Sequence, residues 1–186
     1  MRQRRGPRGL VVERDTAEFA RGWKAAWESH DVAALVELCA PDVVWDEPAL
    51  DETLHGQEQV RTFLVATFEA FPDVRCEVGP VCPAPDGHTI FVPYRFAGTM
   101  TGAWKPLGIA PTGARVDFLA IDRIQVRDGV VVRYETYYDS LRVVRQIGAL
   151  PRIGSRADRA MRRLQHLQAR WQRLNRGVRP ASARSA

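Results

Sequence analysis

The chain has 186 residues, 45% of them apolar and 26% charged, which is ordinary for one soluble domain with a real core and room for an appendage. Its net charge of +5 is unevenly spread: residues 1–8 hold four Arg, residues 152–186 hold ten Arg and one Asp, and residues 9–151 hold 13 basic and 21 acidic residues, a net −8. An acidic domain between two basic ends argues against a nucleic-acid-binding core, and no run of about 18 apolar residues predicts a membrane span.

The start, MRQRRGPRGLVVERD, is basic but lacks the apolar stretch of a secretory signal, so residues 1–14 read as a flexible arm. Three cysteines, Cys39, Cys76 and Cys82, make an odd count with no CxxC, and read as reduced thiols in a cytoplasmic protein.

Asp15-Thr16-Ala17-Glu18 has the form of a capping box and predicts a helix to about His30, with Phe19, Trp23, Ala26 and Trp27 as its apolar stripe. Asp31 can cap a second, short helix that carries Cys39 and that Pro41 ends. Val43-Val44-Trp45 is a short strand leading into Asp46-Glu47-Pro48. A polar loop follows, then a third helix over about Gln57 to Phe71.

From Asp73 the pattern turns to strands: VRCEVGPV, a PAPDG turn, then HTIFVPYRFAGT with Ile90, Val92, Tyr94 and Phe96 on one face. Pro93 inside this segment predicts an edge or a bulge. A Gly- and Pro-rich loop, MTGAWKPLGIAPTG, precedes two long strands joined at Arg127-Asp128-Gly129, a strong hairpin signal. The expected architecture is α+β: three N-terminal helices packed on a strongly curved antiparallel sheet, a conical roll over 15–150. After it come a basic amphipathic helix over 151–178 and a disordered tail over 179–186. Such a roll encloses a natural small-molecule cavity.

In the hairpin, Val116, Phe118, Ala120, Asp122, Ile124 and Val126 share one face, so Asp122 is a carboxylate among apolar neighbours. Val130, Val132, Tyr134, Thr136 and Tyr138 share a face of the second strand, and Val131 lies on the wetter one. Loss of hydration raises a carboxyl's pKa unless donors compensate, and Tyr134 and Tyr138 are the nearest candidates. Asp122 is then either an acid in a pocket or a buried Asp held by local hydrogen bonds. Glu47 is either an inward base or one of the solvated acids Asp46, Glu47, Asp51 and Glu52. Scattered histidines and the absence of phosphate-loop or dinucleotide motifs predict no metal and no cofactor.

From Phe19 to Gly148 the chain resembles the SnoaL-like polyketide cyclase and ketosteroid isomerase superfamily, which has the nuclear transport factor 2-like cone fold. The matching stretches, in order, are AAWESHDVAALVELCAPDVVWDEP, AGTMTGAWKPLGIAPTGARV, and AIDRIQVRDGVVVRYETYYD followed by VVRQIG. The resemblance implies cofactor-free acid–base chemistry on a small hydrophobic carbonyl compound, with Glu47 as general base, Asp122 as a protonated hydrogen-bond donor and Tyr134 assisting it. The helices are expected to line the pocket with Trp23, Trp27 and Phe63. The loop and sheet are expected to add Trp104, Tyr94, Phe118, Thr136 and Tyr138.

Departures accompany the likeness. Trp23 stands where the isomerase has its catalytic Tyr, and Thr136 where cyclases place an Asp. Ala97 stands where epoxide hydrolases set an Asp beside the equivalent of Arg95, and Met100 replaces a cyclase His. A non-catalytic binding or interaction module of the same fold is therefore the second reading. A homodimer is the default assembly for this superfamily. For the Arg-rich C-terminal helix, contact with its own domain, with a second subunit or with an anionic surface all remain open.

Overall fold

The computed structural model describes residues 7–176, and side chains over 18–173. The first helix, α1, spans Pro7–Ser29. Residues 7–14 are thus continuous with the helix and are not a flexible arm, and Asp15 lies inside it and not at its cap. Pro7 suits a first helical turn because its missing N–H would have had no partner there, and no proline follows to stop propagation. Asp31 caps α2 (Val32–Glu37), accepting from Ala34 N at 2.9 Å.

The first strand, β1 (Cys39–Asp46), starts earlier than expected. Cys39 is therefore a buried strand residue, and its Sγ lies 3.4 Å from the Leu35 carbonyl. Next come β2 (Leu54–His55) and α3 (Gly56–Ala70), followed by β3 (Arg75–Val78), β4 (Cys82–Pro83) and β5 (Thr89–Thr99). A single 3-10 turn at Lys105–Leu107 interrupts the long loop before β6 (Arg115–Arg127) and β7 (Val130–Tyr138). The last helices are α4 (Ser140–Gln146) and α5 (Arg156–Arg176). Residues 1–6 and the expected tail 179–186 lie outside the described residues.

The sheet runs β2-β1-β7-β6-β5-β3, with β4 also on β5. It is mixed and not purely antiparallel, because β1 lies parallel to β7, Trp45 beside Tyr134 and Asp46 beside Glu135. No hairpin joins these two strands, so nothing local fixes their relative direction. Pro93 is not on an edge. Its carbonyl accepts from Gly79 N at 2.8 Å, and the same side of the strand faces the gap between β3 and β4, where no ladder needs its missing N–H.

The hairpin turn has φ of 51° at Asp128 and 80° at Gly129, the two positive values a tight primed turn requires. Just beyond it the register slips, from Gln125 opposite Arg133 to Val126 opposite Val131. This bulge turns Val131 inward, where it is fully buried, against the strict alternation expected of it.

Helices α1–α3 cover one sheet face, and the core between them is markedly aromatic: Phe19, Trp23, Trp27, Trp45, Phe71, Phe96 and Tyr134 are all buried. The opposite face leaves Leu119, Ile121 and Tyr137 exposed. At the C-terminus the expected helix 151–178 starts later, and its residues 177–178 lie outside the described residues. Ser155 Oγ accepts from Asp158 N at 3.1 Å, and Asp158 reaches back to Gly154 N at 2.9 Å, a reciprocal cap that sets the start at Arg156. Leu164, Leu167 and Trp171 on α5 are exposed, so the helix does not bury its stripe on its own domain. No described helix is long and apolar enough to cross a membrane.

Candidate active site

Strand alternation on β1 decides the direction of Glu47. Val43 and Trp45 are buried, and Asp46, between them and Glu47, points away to bond Arg133 Nη2 at 2.7 Å and Thr53 Oγ1 at 2.5 Å. Continuing the alternation turns the Glu47 carboxyl inward, where Tyr138 Oη donates to Oε1 at 2.5 Å and Ala49 N donates at 3.3 Å. Glu47 is only half-buried as a residue, yet burial of its carboxyl pushes the pKa up to about 7. The Tyr138 and Ala49 hydrogen bonds oppose that rise.

Asp122 lies between Val92 and Thr136 across the sheet and is 2% exposed. Its Oδ1 is 2.7 Å from Tyr134 Oη. Burial pushes its pKa up to about 8. Hydrogen bonds from Tyr134 and Thr136 pull the other way, and the charge of Glu47 adds to the rise. Thr136 Oγ1 is in turn 3.2 Å from Tyr94 Oη, so Tyr134, Asp122, Thr136 and Tyr94 form one polar line through an apolar interior. Burial holds both tyrosines well above the usual phenol range, so they stay protonated.

These groups surround very little space. The cone holds a cavity of about 50 Å³ bordered by Glu47, Tyr134 and Tyr138. Drug-sized ligands occupy ~300–1,000 Å³. Of the expected wall, Trp27, Phe63, Tyr94, Trp104, Phe118 and Tyr138 are present. Asp122 and Trp23 are not: they border a separate void of about 10 Å³ with Cys76 and Val92. Trp23 is core, packed 6.2 Å from Trp45 and 5.9 Å from Tyr134 between ring centroids. Thr136 also misses the cavity and borders an outer cleft of about 390 Å³ with Asp46, Asp51, Glu52 and Glu135. Glu47 borders both that cleft and the inner cavity.

Sequence reasoning missed Trp45, Thr67, Phe71, Phe96, Val116 and Val143 as wall residues. Trp45 was within reach, since it shares strand parity with Glu47. Its ring stacks on Tyr134 with centroids 3.6 Å apart. The loop 100–113 contributes one buried aromatic, Trp104, whose Nε1 donates to Thr67 Oγ1 at 3.3 Å and whose ring meets Phe71 edge-on. Arg95 lies outside the cone and makes two hydrogen bonds, of 2.8 and 2.6 Å, to Asp117 on the outer face.

A model of the SnoaL-like domain matches residues 20–134. The chain belongs to the SnoaL-like domain family. No curated protein matches it. Among solved structures, a proposed SnoaL-like polyketide cyclase from Jannaschia sp. CCS1 is 25% identical with a TM-score of 0.65, over 81% of this chain and 100% of that one. IdmH, a proposed polyketide cyclase from Streptomyces antibioticus, is 25% identical with a TM-score of 0.55, over 71% and 97% of the two chains. A protein with a ketosteroid isomerase-like fold from Catenulispora acidiphila, solved in complex with trimethylamine, is 22% identical with a TM-score of 0.58 over 72% and 94% of the two chains, a likeness of fold.

Proposed function

We propose that this SnoaL-like protein is a cofactor-independent acid–base enzyme, an isomerase or aldol-type cyclase acting on a small hydrophobic carbonyl compound such as a polyketide- or steroid-like molecule. The observation that carries the reading is the pair of buried carboxyls pushed to about 7 and about 8, Glu47 bonded to Tyr138 and Asp122 to Tyr134. Near neutral pH one can be ionised while the other keeps its proton, the division of labour that acid–base catalysis needs.

In this reading the Glu47 carboxylate takes a proton from the carbon next to the carbonyl. The C–H electron pair becomes the enolate double bond, and negative charge collects on oxygen. Tyr134 donates a hydrogen bond to that oxygen. Tyr134 donates to Asp122 Oδ1 in the free protein; in the reaction the contact reverses, neutral Asp122 donating to Tyr134 Oη so that the phenolic proton turns to the ligand. The enolate then takes the proton back from Glu47 at a different carbon, or attacks a second carbonyl, whose oxygen gains the π electron pair and takes the proton from Glu47. Trp104 leaves its seat on Phe71 and Thr67 to admit the substrate. The partner copy in a homodimer packs on Leu119, Ile121 and Tyr137.

Proton exchange tests the reading without a known substrate. Enolisable hydrophobic ketones are incubated in D2O, and loss of the carbon-bound proton is followed by NMR. The wild type should exchange them, and Glu47→Gln and Tyr134→Phe should slow exchange by ~10²–10³-fold. Equal rates in wild type, Glu47→Gln and Asp122→Asn would reject it.

A binding or interaction module is favoured by one observation, the nearly filled cone of about 50 Å³. It predicts no exchange with any ketone and no change in ligand affinity on Glu47→Gln.

A further inference from the structure

We propose that α5 is a peripheral anchor that lies in an anionic lipid surface, its apolar stripe among the acyl chains and its arginines at the headgroups. Ala157, Ala160, Leu164, Leu167 and Trp171 recur at three- and four-residue steps and share one side of the helix. Leu164, Leu167 and Trp171 are 65%, 64% and 64% exposed, so the stripe has no seat in the described chain. Arg159, Arg162 and Arg173 occupy the opposite side, and Arg156, Arg163 and Arg170 flank the stripe. From Arg159 to Ala186 the sequence has eight Arg and no Lys, Asp or Glu.

Charge selects the occupant. The helix, with seven Arg and one Asp, carries +6. An apolar groove on the domain lies along α3 and borders Leu50, Leu54, Val65 and Ala66, but its Glu58 and Glu69 are offset by Arg61 and Lys105, and Lys105 already pairs with Glu69 at 2.7 Å. That groove offers no net charge to receive a +6 helix, and the outer acidic cleft offers an apolar stripe only Pro48, Leu50 and Tyr137 among its polar and charged residues. A second copy of α5 would bring two +6 helices side by side, with Arg156, Arg163 and Arg170 along the edge of the seam. A nucleic acid would engage the arginines and leave Leu164, Leu167 and Trp171 in water. An anionic bilayer satisfies both faces at once. Low overall hydrophobicity, a basic face and an opposite Leu/Trp face are the marks of a helix that lies in the interface and does not span it.

Flotation of the full chain with phosphatidylcholine vesicles, with and without phosphatidylglycerol, tests this. The protein should float only with the anionic vesicles and be released as salt rises. Leu167→Glu and Trp171→Glu should each weaken flotation by about tenfold or more, and so should the pair Arg163→Glu and Arg170→Glu. An unchanged near-UV circular dichroism spectrum of the cone confirms that these variants are folded. The proposal fails if the wild type does not float with anionic vesicles, or if Leu167→Glu floats as well as wild type. It fails equally if the chain binds duplex DNA with Leu167→Glu unimpaired, or if Leu167→Glu dissociates a lipid-free oligomer. None of these readouts depends on proton transfer in the cone.

Discussion

Tyr134 Oη and Asp122 Oδ1 stand 2.7 Å apart although the two residues are not direct partners in the ladder. Asp122 pairs with Thr136 and Tyr134 with Ile124, so they meet as diagonal neighbours across β6 and β7. The contact links a residue sealed behind the wall to one that borders the cavity. Tyr134→Phe should raise the Asp122 pKa further above about 8, since the hydrogen bond from Tyr134 lowers it. The fold should lose about 1–3 kcal/mol from the unsatisfied carboxyl. Carboxyl-carbon NMR titration and urea unfolding check both.

Stability should fall as pH rises from about 4 to about 8. Unfolded Asp and Glu titrate near ~3.9 and ~4.3, whereas Asp122 and Glu47 hold their protons to about 8 and about 7 in the fold. Across that window the native state binds more protons than the unfolded chain, and each group contributes a slope of up to about 1.4 kcal/mol per pH unit. Asp122→Asn removes one of the two contributions and should flatten the fall. Thermal unfolding from about pH 5 to about pH 8 measures it, and an identical slope in wild type and variant contradicts a buried titrating acid at this position.

Tyr138→Phe should move Glu47 the other way from its function. The Tyr138 hydrogen bond lowers the Glu47 pKa, so its loss raises it above about 7. If Glu47 is the base, the acid limb of the proton-exchange rate shifts to higher pH while the rate at high pH changes little.

Gly102→Ala should unseat the loop 100–113. A Cβ at this position would meet the Glu69 carbonyl oxygen at 2.1 Å, and the Gly102 N–H bond to Ala70 O, now 3.1 Å, would be lost. The cost should be about 1–3 kcal/mol, with Trp104 moving toward solvent. A red shift in tryptophan emission that is absent from the double variant with Trp104→Phe assigns the change to that residue.

Much of the cone was legible because alternation and capping are local. Asp31, the Asp128-Gly129 turn and the inward face of β6 were each readable from a few neighbours. What escaped depended on pairing across long distances. The parallel contact between β1 and β7 decides which way β1 presents Trp45 and Glu47, and no local pattern fixes it. The slip at Val131 undoes strict alternation within one residue. Thr136 has the parity of Tyr134 and Tyr138 but faces Asp122 and the outer cleft, because sheet curvature, absent from any sequence count, decides which inward residues border the hollow. Cavity volume was the least legible property, since it is set by how Trp27 packs on Tyr94, Trp45 on Tyr134 and Trp104 on Phe71.

Glu47 touches the inner cavity on one side and the outer acidic cleft on the other. If Glu47 is the base of the proposed reaction, a proton it takes from a substrate can thus reach bulk water without the loop around Trp104 opening. In D2O such a base exchanges its label while the ligand is still held, and the isotope it returns to carbon is the solvent's and not the substrate's. If Glu47 is the base, turnover and isotopic washout would proceed on separate clocks.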